Sequence, residues 1–346
     1  MKNFFEKDAV ELSQDGLELI ILDQSMLPHQ ETYIHITTAE QLFYAITLQK
    51  VRGSMAIGTT AALGIAMCMN RFETNELKVF ENEFLRVKKY LGISRPSAAD
   101  LFKDLDKMEA CYYEQTGADG NPNGLIGRIK ARLTVEARNI QLEKINKCLS
   151  IAEHGCSILQ PGVRILTYGN SGHLAVSRYG TALAPIYLAQ QKGYLPKVYI
   201  CETRPMMQGS RLTTYELAKA GVDTTLICDN TAALIMSQKK VDLVFVGADM
   251  VAANGDVINK IGTSSLAIIA SHYGIPVYVL CPSDTRDFSL ATGKDVVIDE
   301  GPGYELIDMY FEKPMAPLGT KVYNPVYDVT PASLITGIIT ENGLLK

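Results

Sequence analysis

The chain has 346 residues, too many for one small hydrophobic core, so we expect two domains or one large domain with an appendage. Its net charge of -5 argues against a nucleic-acid-binding protein, because a duplex-binding face needs clustered Lys and Arg. The apolar fraction of 47% and the charged fraction of 21% are typical of a globular protein, and no apolar run is long enough to span a membrane.

The first sixteen residues, MKNFFEKDAVELSQDG, carry acidic residues early and lack the apolar core of a secretory signal. The seven cysteines are scattered and never form a C-x-x-C pair, and most lie in apolar runs where a thiol behaves as a small hydrophobe. The five histidines show no metal-ligand spacing. These patterns predict no zinc site, no other metal site and no disulfide framework, and they indicate a cytoplasmic protein.

The first part of the chain has a mixed pattern in which helical segments dominate. A polar loop at 117–124 separates its last short helix from a long helical pattern, and we place the domain boundary within that long helix. This predicts an N-terminal helical domain with a small antiparallel sheet over 1–135 and a second domain over 136–346. The predicted strands are 17–24 and 32–38, and the predicted helices include 39–51, 97–115 and 125–158.

From about residue 162, short apolar runs alternate with helical patterns. Continuous apolar strands separated by helices are typical of a parallel sheet that is covered on both faces. The second domain is therefore predicted to be a Rossmann-like, doubly wound α/β domain. The predicted strands are 163–168, 197–202, 224–229, 241–249 and 275–282, and the predicted helices are 175–193, 212–221, 230–240 and 259–274.

In such a sheet, ligands bind beyond the carboxyl ends of the strands, so the polar loops that follow the strands form the candidate binding region. In LVFVGAD, Asp249 follows a buried strand, and partial desolvation there is expected to raise its pKa toward a range useful for proton transfer. The ordinary alternative is a helix cap or an ion pair with lysine. In VAANGDVINKIG, a helix expected to begin at Asn259 and Lys260 would suit an anion, although Lys260 can also be a solvated side chain.

Other candidate ligand groups have equally plain structural alternatives. The segment ETRPMMQGSR carries Arg204, Gln208 and Arg211. The two guanidinium groups suit phosphate oxygens and the amide suits sugar hydroxyls, but the arginines can equally form ordinary salt bridges. KVRGSMAIG places Arg52, Gly53 and Ser54 before a helix rich in small residues, which suits either a phosphate or tight helix packing. Arg95 in SRPSAADL is a further phosphate candidate, and His173 in GNSGHLA is a catalytic candidate or a packing residue.

Eight segments, in order and spacing, resemble the methylthioribose-1-phosphate isomerases, the enzyme branch of the eukaryotic initiation factor 2B α/β/δ superfamily. The resemblance extends from about residue 17 to 343. It implies an N-terminal helical domain, a Rossmann-like C-terminal domain, a homodimer, and a sugar 1-phosphate substrate with no metal or organic cofactor. The segments are DQSMLP, VRGSMAIG, SRPSAADL, LTYGNSG, ETRPMMQGSRLT, DNTAALIM, VGADMVAANGDVINKIGT and YNPVYDVTPASLITGIITENG.

The resemblance also assigns roles to individual residues, and the chain departs from the family's sequence at two places. Asp249 corresponds to the family's general acid/base. Ser54 and Met55 stand where the family usually has Ala-Pro. Tyr168 and Gly169 stand where the family has His-Cys, and that cysteine is its second catalytic residue. The residues on substrate-contact motifs are Arg52, Gly53, Ser54, Arg95, Gln208, Asn259 and Lys260.

Three interpretations follow from the glycine. The chain is an isomerase that acts on a different sugar 1-phosphate, in which Tyr168, Ser171, His173 or water supplies the second group, or it is an ordinary isomerase carrying an accidental or engineered substitution. Alternatively, it binds sugar phosphates without turnover, as a sensor or regulatory subunit. A third class of function, beside an enzyme and a sensor, is a structural subunit of a larger assembly. The isomerase is favoured because Asp249 and the phosphate-contact motifs are all present.

Overall fold

The computed structural model describes residues 4–5, 7–96, 98–118, 124–176 and 178–345. The chain divides into two compact units. The first unit comprises Phe5–Asn146 and His173–Gly180, and the second comprises Met1–Phe4, Lys147–Gly172 and Thr181–Lys346. The predicted domain boundary after residue 135 lies in the same long helix as this division, and its position stays a prediction.

The first unit is mainly helical and carries a three-stranded antiparallel sheet. Its strands are β1 (Val10–Leu12), β2 (Leu19–Leu22) and β3 (Tyr33–Ile36), in that order across the sheet. The two predicted strands correspond to β2 and β3, whereas the three-residue β1 is too short to give a pattern. The helices are α1 (Ala39–Thr47), α2 (Ser54–Arg71), α3 (Leu77–Gly92), α4 (Ala99–Ala118), α5 (Leu125–Ser157) and α6 (His173–Val176).

Helix α2 forms the centre of the first unit. Its sequence is apolar on every side, from Ala56 to Met69, and a helix of that kind is stable only when it is surrounded by other elements. The predicted helix over 125–158 is confirmed by α5, and the helix predicted over 97–115 by α4. Of the predicted polar loop at 117–124, residues 119–123 lie outside the described residues.

The second unit is built on a seven-stranded sheet with the strand order β14-β13-β10-β7-β4-β5-β6. All neighbouring pairs are parallel except β13 and β14. Its strands are β4 (Arg164–Tyr168), β5 (Lys197–Cys201), β6 (Asp223–Ile227), β7 (Leu243–Val246), β8 (Met250–Ala252), β9 (Val257–Lys260), β10 (Val277–Leu280), β11 (Arg286–Asp287), β12 (Tyr327–Thr330), β13 (Gly337–Thr340) and β14 (Gly343–Leu345). Its helices are α7 (Ala184–Gln191), α8 (Thr214–Lys219, preceded by a π-helical turn), α9 (Ala232–Ser237), α10 (Thr263–His272) and α11 (Tyr304–Ile307).

The core of the second unit lies on both faces of this sheet. Ile165 and Phe245 belong to the cluster on one face, and Leu166 and Val244 to the cluster on the other. Because successive side chains of a strand point to opposite faces, unbroken apolar runs are what a sheet covered on both sides requires. The strand order also reverses between β4 and β7. The prediction of a Rossmann-like, doubly wound domain beside a smaller helical unit with an antiparallel sheet is therefore confirmed.

The helix predicted over 175–193 is wrong in its first half. Helix α6 ends at Val176 and α7 begins only at Ala184. Between them Tyr179 and Gly180 have φ values of +70° and +77°, which a helix cannot contain. This segment, His173–Gly180, belongs to the first unit although strands of the second unit flank it in sequence.

The prediction that a helix begins at Asn259 and Lys260 is also wrong. Both residues lie in β9, within a second sheet of order β11-β8-β9-β12 that the sequence pattern does not indicate. Antiparallel pairing with β12 satisfies the backbone of β9, so α10 starts only at Thr263. Among the described residues, no helix has both the length and the apolar character needed to cross a membrane.

Candidate active site

The candidate site of the second unit lies at the carboxyl edge of its parallel sheet. Gly169 directly follows β4, and Asp249 follows β7, the neighbouring strand at which the strand order reverses. In open α/β sheets this switch point is where the crevice for a ligand forms. The topology therefore places these two predicted residues at one edge of one sheet.

Gly169 has both backbone polar groups engaged and an open side-chain position. Its N–H donates to Thr203 Oγ1 at 3.0 Å, and its carbonyl accepts from Thr213 Oγ1 at 2.6 Å. Its φ is +81°, and in the part of the chain that the structure describes, no atom beyond its chain neighbours lies within 4 Å of the place that a Cβ would take. The turn is thus fixed by two threonines, while the described residues leave the side-chain position open.

Tyr168 lies just before this glycine and is buried. Its hydroxyl donates to Asp229 Oδ2 over a long 3.4 Å, and the same carboxylate accepts from the N–H groups of Thr203 and Arg204 at 2.8 Å each. Burial first, and then the charge of Asp229, hold the pKa of Tyr168 far above its usual range. The phenol consequently stays protonated and can donate a hydrogen bond, but it is a poor base.

The thiol of Cys201, on the strand next to β4, does not replace the absent cysteine side chain. Cys201 is fully buried in the same cluster as Tyr168, and burial raises its thiol pKa well above the usual value. A nucleophile or acid/base needs an accessible, readily ionised thiol. Among the described residues, no group of three or more His, Cys, Asp and Glu could hold a metal ion.

Asp249 lies beyond the last buried residue of β7, where the chain turns into β8. Its N–H donates to the carbonyl of Ile258 at 3.0 Å, which fixes its backbone at the start of the β8–β9 hairpin. Its side chain is exposed, so the expected desolvation of this carboxylate is not found. The buried apolar run ends at Gly247, two residues too early to enclose the carboxyl group.

Asn259 and Lys260 are presented by the end of β9 and the turn that follows it. Asn259 is buried, and its Nδ2 donates to Thr263 Oγ1 at 3.0 Å. Lys260 is half-buried; its Nζ donates to the carbonyl of Val326 at 3.1 Å and lies 5.0 Å from the centre of the Tyr327 ring. Both side chains are therefore held in place by β12 or by the first turn of α10.

Asp328 is a residue of this region that the sequence reasoning does not single out. Its Oδ2 accepts from the N–H groups of Gly262 and Ser264, at 2.7 and 3.0 Å. Burial raises its pKa to about 6, against the opposing effects of these two hydrogen bonds and of Lys260. The only signal in the sequence is an acid within the apolar stretch YNPVYDVTP, which does not follow any of the predicted strands.

Gln208 is buried, and its Oε1 has no hydrogen-bond partner among the described residues. Its neighbours Arg204 and Arg211 both bind the segment 304–311. Arg204 Nη2 donates to the carbonyl of Leu306 at 2.7 Å, and Arg211 Nη1 donates to Tyr310 Oη at 2.9 Å. Of the three polar candidates in this loop, the arginines thus have structural partners within the second unit, and Gln208 keeps an unused acceptor.

The phosphate candidates of the first unit surround the start of α2. Gly53 caps this helix with φ +92°, and a Cβ there would clash with the carbonyl of Ala175. Ser54 Oγ accepts from the N–H of Asp100 at 3.1 Å, which joins the first turns of α2 and α4. Arg52 and Arg95, both half-buried, lie in the loops that lead into these two helices.

A buried ion pair supports the same helix start. Lys144 Nζ donates to the carbonyl of Met55 at 2.9 Å and also to Asp104 Oδ2. Lys144 is 7% exposed and Asp104 is 2% exposed, so both charges have left water. Burial raises the pKa of Asp104, and the attraction of Lys144 opposes this. No local sequence pattern indicates this pair, because its two members lie forty residues apart on different helices.

His173 belongs to the first unit, where it is buried and stacked on Phe5 with ring centres 4.0 Å apart. Other residues of the segment His173–Gly180 also bind residues of the first unit. The carbonyl of Leu174 accepts from Gln24 Nε2 at 2.9 Å, and Arg178 forms a bidentate pair with Asp8. These contacts correspond to the packing alternative for His173, and a catalytic role for it stays a prediction.

Comparison with known proteins gives a consistent set of relatives. Residues 50–346 match the profile of the initiation factor 2 subunit family. Methylthioribose-1-phosphate isomerase of Parabacteroides distasonis is 51% identical over 330 residues, 95% of this chain and 96% of the relative. The 5-deoxyribose 1-phosphate isomerase of Petrotoga mobilis is 44% identical over 97% of this chain and 95% of its own length. The crystal structure of 5-methylthioribose 1-phosphate isomerase from Pyrococcus horikoshii OT3 matches with a TM-score of 0.92 and 33% identity, over 99% of this chain and 93% of that one.

Proposed function

Because the chain belongs to the initiation factor 2 subunit family, we propose that it isomerises a 5-substituted ribose 1-phosphate to the ribulose 1-phosphate. The substrate is methylthioribose 1-phosphate or 5-deoxyribose 1-phosphate, the compounds in the names of its relatives. The observation that carries this proposal is that relatives named as isomerases are similar over almost the whole chain. The chain is thus an enzyme of the isomerase branch.

The reaction moves one hydrogen from C2 to C1 of the sugar. Because phosphate blocks the anomeric oxygen, the bond from C1 to the ring oxygen must break, and that oxygen must gain a proton. The C2 hydroxyl loses its proton as the carbonyl forms, so protons and electrons balance without any co-reactant. The hydrogen at C2 travels either as a proton through an enediol or as a hydride. Either route needs one acid/base group and a second polar group near the carbons.

We assign the acid/base role to Asp249, as the resemblance implies. In this role the carboxylate accepts the proton of the C2 hydroxyl and then protonates the ring oxygen. Phosphate is assigned to Arg52, Gly53, Ser54 and Arg95 in the first unit, and sugar or phosphate oxygens to Gln208, Asn259 and Lys260 in the second. The unused acceptor of the buried Gln208 supports its assignment.

Gly169 leaves the second polar group to be supplied by something other than a thiol. Around the side-chain position of Gly169, the described residues leave room for a water molecule. The protonated Tyr168 phenol lies one residue away; its O–H already donates to Asp229, but its oxygen can still accept a hydrogen bond. We propose that water at this position, or Tyr168, takes the role of the family's cysteine. Homodimer formation and a cytoplasmic location complete the proposal, and both derive from the resemblance and composition.

The direct test is incubation with each sugar 1-phosphate while ketose formation is followed by NMR. Turnover of either compound supports the proposal. Binding of both compounds by calorimetry without turnover would instead support the sensor or regulatory alternative. Absence of binding and turnover, with partner proteins that co-purify stoichiometrically, would support a structural subunit.

Asp249→Asn should reduce kcat at least about a thousandfold, because the amide cannot accept or return the proton. Asp242→Asn is the matched control. Asp242 directly precedes β7, at the end of the strand away from Asp249, and it pairs with Arg164. That variant should leave kcat within about twofold of the wild type, as expected for a surface substitution. Wild-type turnover by Asp249→Asn would remove this residue from the mechanism.

A further inference from the structure

The turn that carries Asn259 and Lys260 is short and tightly bonded. Thr263 Oγ1 donates to the carbonyl of Lys260 at 2.7 Å and accepts from Asn259 Nδ2 at 3.0 Å. The N–H of Ile261 donates to the carbonyl of Val326 at 3.1 Å. The position of both side chains therefore depends on where the first turn of α10 lies against β12.

Asp328 on β12 fixes that position. In the antiparallel register Asp328 pairs with Asn259, so the two side chains share one face of the sheet. Its Oδ2 receives the N–H groups of Gly262 and Ser264, one on each side of the first residue of α10. A carboxylate at a helix N-terminus satisfies amides that have no partner within the helix, and the helix dipole adds to the attraction.

The charged and titratable surroundings of Asp328 come from two further strands. Lys260 on β9 attracts it, and the carboxylate in turn acts on the phenol of Tyr168 on β4. The second oxygen, Oδ1, is shielded from solvent and has no hydrogen-bond partner among the described residues. One carboxylate oxygen of Asp328 thus binds the turn, and the other is left without a described partner in this half-buried position.

We propose that Asp328 is a positioning residue for substrate binding: it holds the turn 259–264 so that Asn259 and Lys260 meet the sugar phosphate. This rests on the proposed function, because it gives the turn a substrate. The role is indirect, since Asp328 acts through the backbone of Gly262 and Ser264.

Asp256 offers a matched control in the same small sheet. It too is a carboxylate bound by backbone amides, accepting from Ala332 at 2.9 Å and from Gly293 at 3.1 Å. It lies at the other end of β9, beside the β8–β9 turn, so it supports the sheet without bonding the turn 259–264. A purely structural role for Asp328 predicts the same phenotype for both residues.

The experiment compares Asp328→Asn with Asp256→Asn in steady-state turnover of the sugar 1-phosphate that the wild type uses. We expect KM to rise about tenfold in D328N while kcat changes less than threefold, the loss expected for one charge-assisted hydrogen bond. D256N should keep the wild-type KM. Asp328→Glu, which retains the charge one methylene further out, should give an intermediate KM, and it replaces D328N if that variant does not fold.

The outcomes separate this inference from the function on which it rests. If the wild type turns over neither sugar 1-phosphate, the proposed function fails, and the positioning role fails with it. If the wild type turns over and both D328N and D256N show the same KM, only the positioning role is overturned. A fall in kcat at constant KM in D328N would also overturn it, because the defect would then lie in catalysis rather than in binding.

Discussion

Each unit has a buried or half-buried carboxylate beside its candidate substrate-binding residues, but the negative charge of that carboxylate is stabilised differently in the two units. In the first unit, Asp104 is 2% exposed and is neutralised by Lys144, which also bonds a carbonyl in the first turn of α2. In the second unit, Asp328 is bound by the backbone amides of Gly262 and Ser264. One carboxylate depends on a side chain forty residues away, and the other on the start of a single helix.

This difference shows where the candidate binding residues of each unit are vulnerable. A buried ion pair fails when either partner is removed, because the remaining charge has nothing to offset its lost hydration. A carboxylate held by amides has no single partner to lose, but its proton affinity changes with burial, as its pKa of about 6 shows. Removal of Lys144 is therefore the change to test in the first unit, and titration of Asp328 the change to test in the second.

The largest effect is expected in the first unit. Lys144→Met leaves the buried Asp104 carboxylate without its partner and should lower the free energy of unfolding by about 3 to 5 kcal/mol. Urea denaturation followed by circular dichroism measures this. The double variant Lys144→Met/Asp104→Leu should recover most of the loss, because apolar side chains of similar volume replace both charges. Equal losses in the single and double variants would mean that packing, and not charge, explains the defect.

An intermediate effect is expected at the rim of the second unit. Gly169→Ala should lower the unfolding free energy by about 1 to 2 kcal/mol, because φ +81° is unfavourable for any residue with a Cβ. Gly169→Cys should lose the same amount, since the position has space for its side chain. If the thiol is what the site lacks, the cysteine variant alone should gain at least tenfold in kcat, as expected for an added acid/base group.

The alanine variant controls for backbone strain in that comparison. If neither Gly169→Ala nor Gly169→Cys gains activity over the wild type, the site has diverged beyond this residue. A gain in both would point to the lost flexibility of the turn, and not to the thiol.

The smallest effect concerns the pH dependence of the second unit. The folded-state pKa of Asp328, about 6, lies above its unfolded value of 3.8, so its contribution to stability is present at low pH and lost as pH rises through 6. Asp328→Asn lacks this titration. Its stability deficit relative to the wild type should therefore be about 1 kcal/mol larger at pH 5 than at pH 7.5. Urea titrations at both pH values would contradict this if the deficit stayed constant.

The sequence predicted most of the second unit because unbroken apolar runs are a strong local signal. Strand β7, with four buried residues in a row, is an example. The pattern failed where a different interaction decided the outcome. Asn259 and Lys260 look like a helix start, but pairing with β12, some seventy residues later, makes them a strand. The run 175–193 looks helical, but the positive φ values at Tyr179 and Gly180 divide it.

The candidate site divides in the same way, into residues that a local pattern reveals and residues that depend on distant partners. The loops with Gly169, Gln208 and Asp249 could be found from the sequence, because they follow predicted strands and the carboxyl edge of a parallel sheet collects ligand-binding residues. The supporting residues could not. Asp104, Lys144 and Asp328 act through partners on other elements, and Asp249 was expected to be desolvated although its side chain is exposed.

By itself, the sequence determined the alternation of strands and helices, the absence of a cysteine at residue 169 and the polar residues at each strand end. These are properties of local pattern, which one stretch of chain carries alone. Only the tertiary structure decided which charges are buried, which amides a carboxylate receives, and that no described residue fills the side-chain position at Gly169. Burial and pairing are properties of distant segments brought together, and no single stretch of the chain contains them.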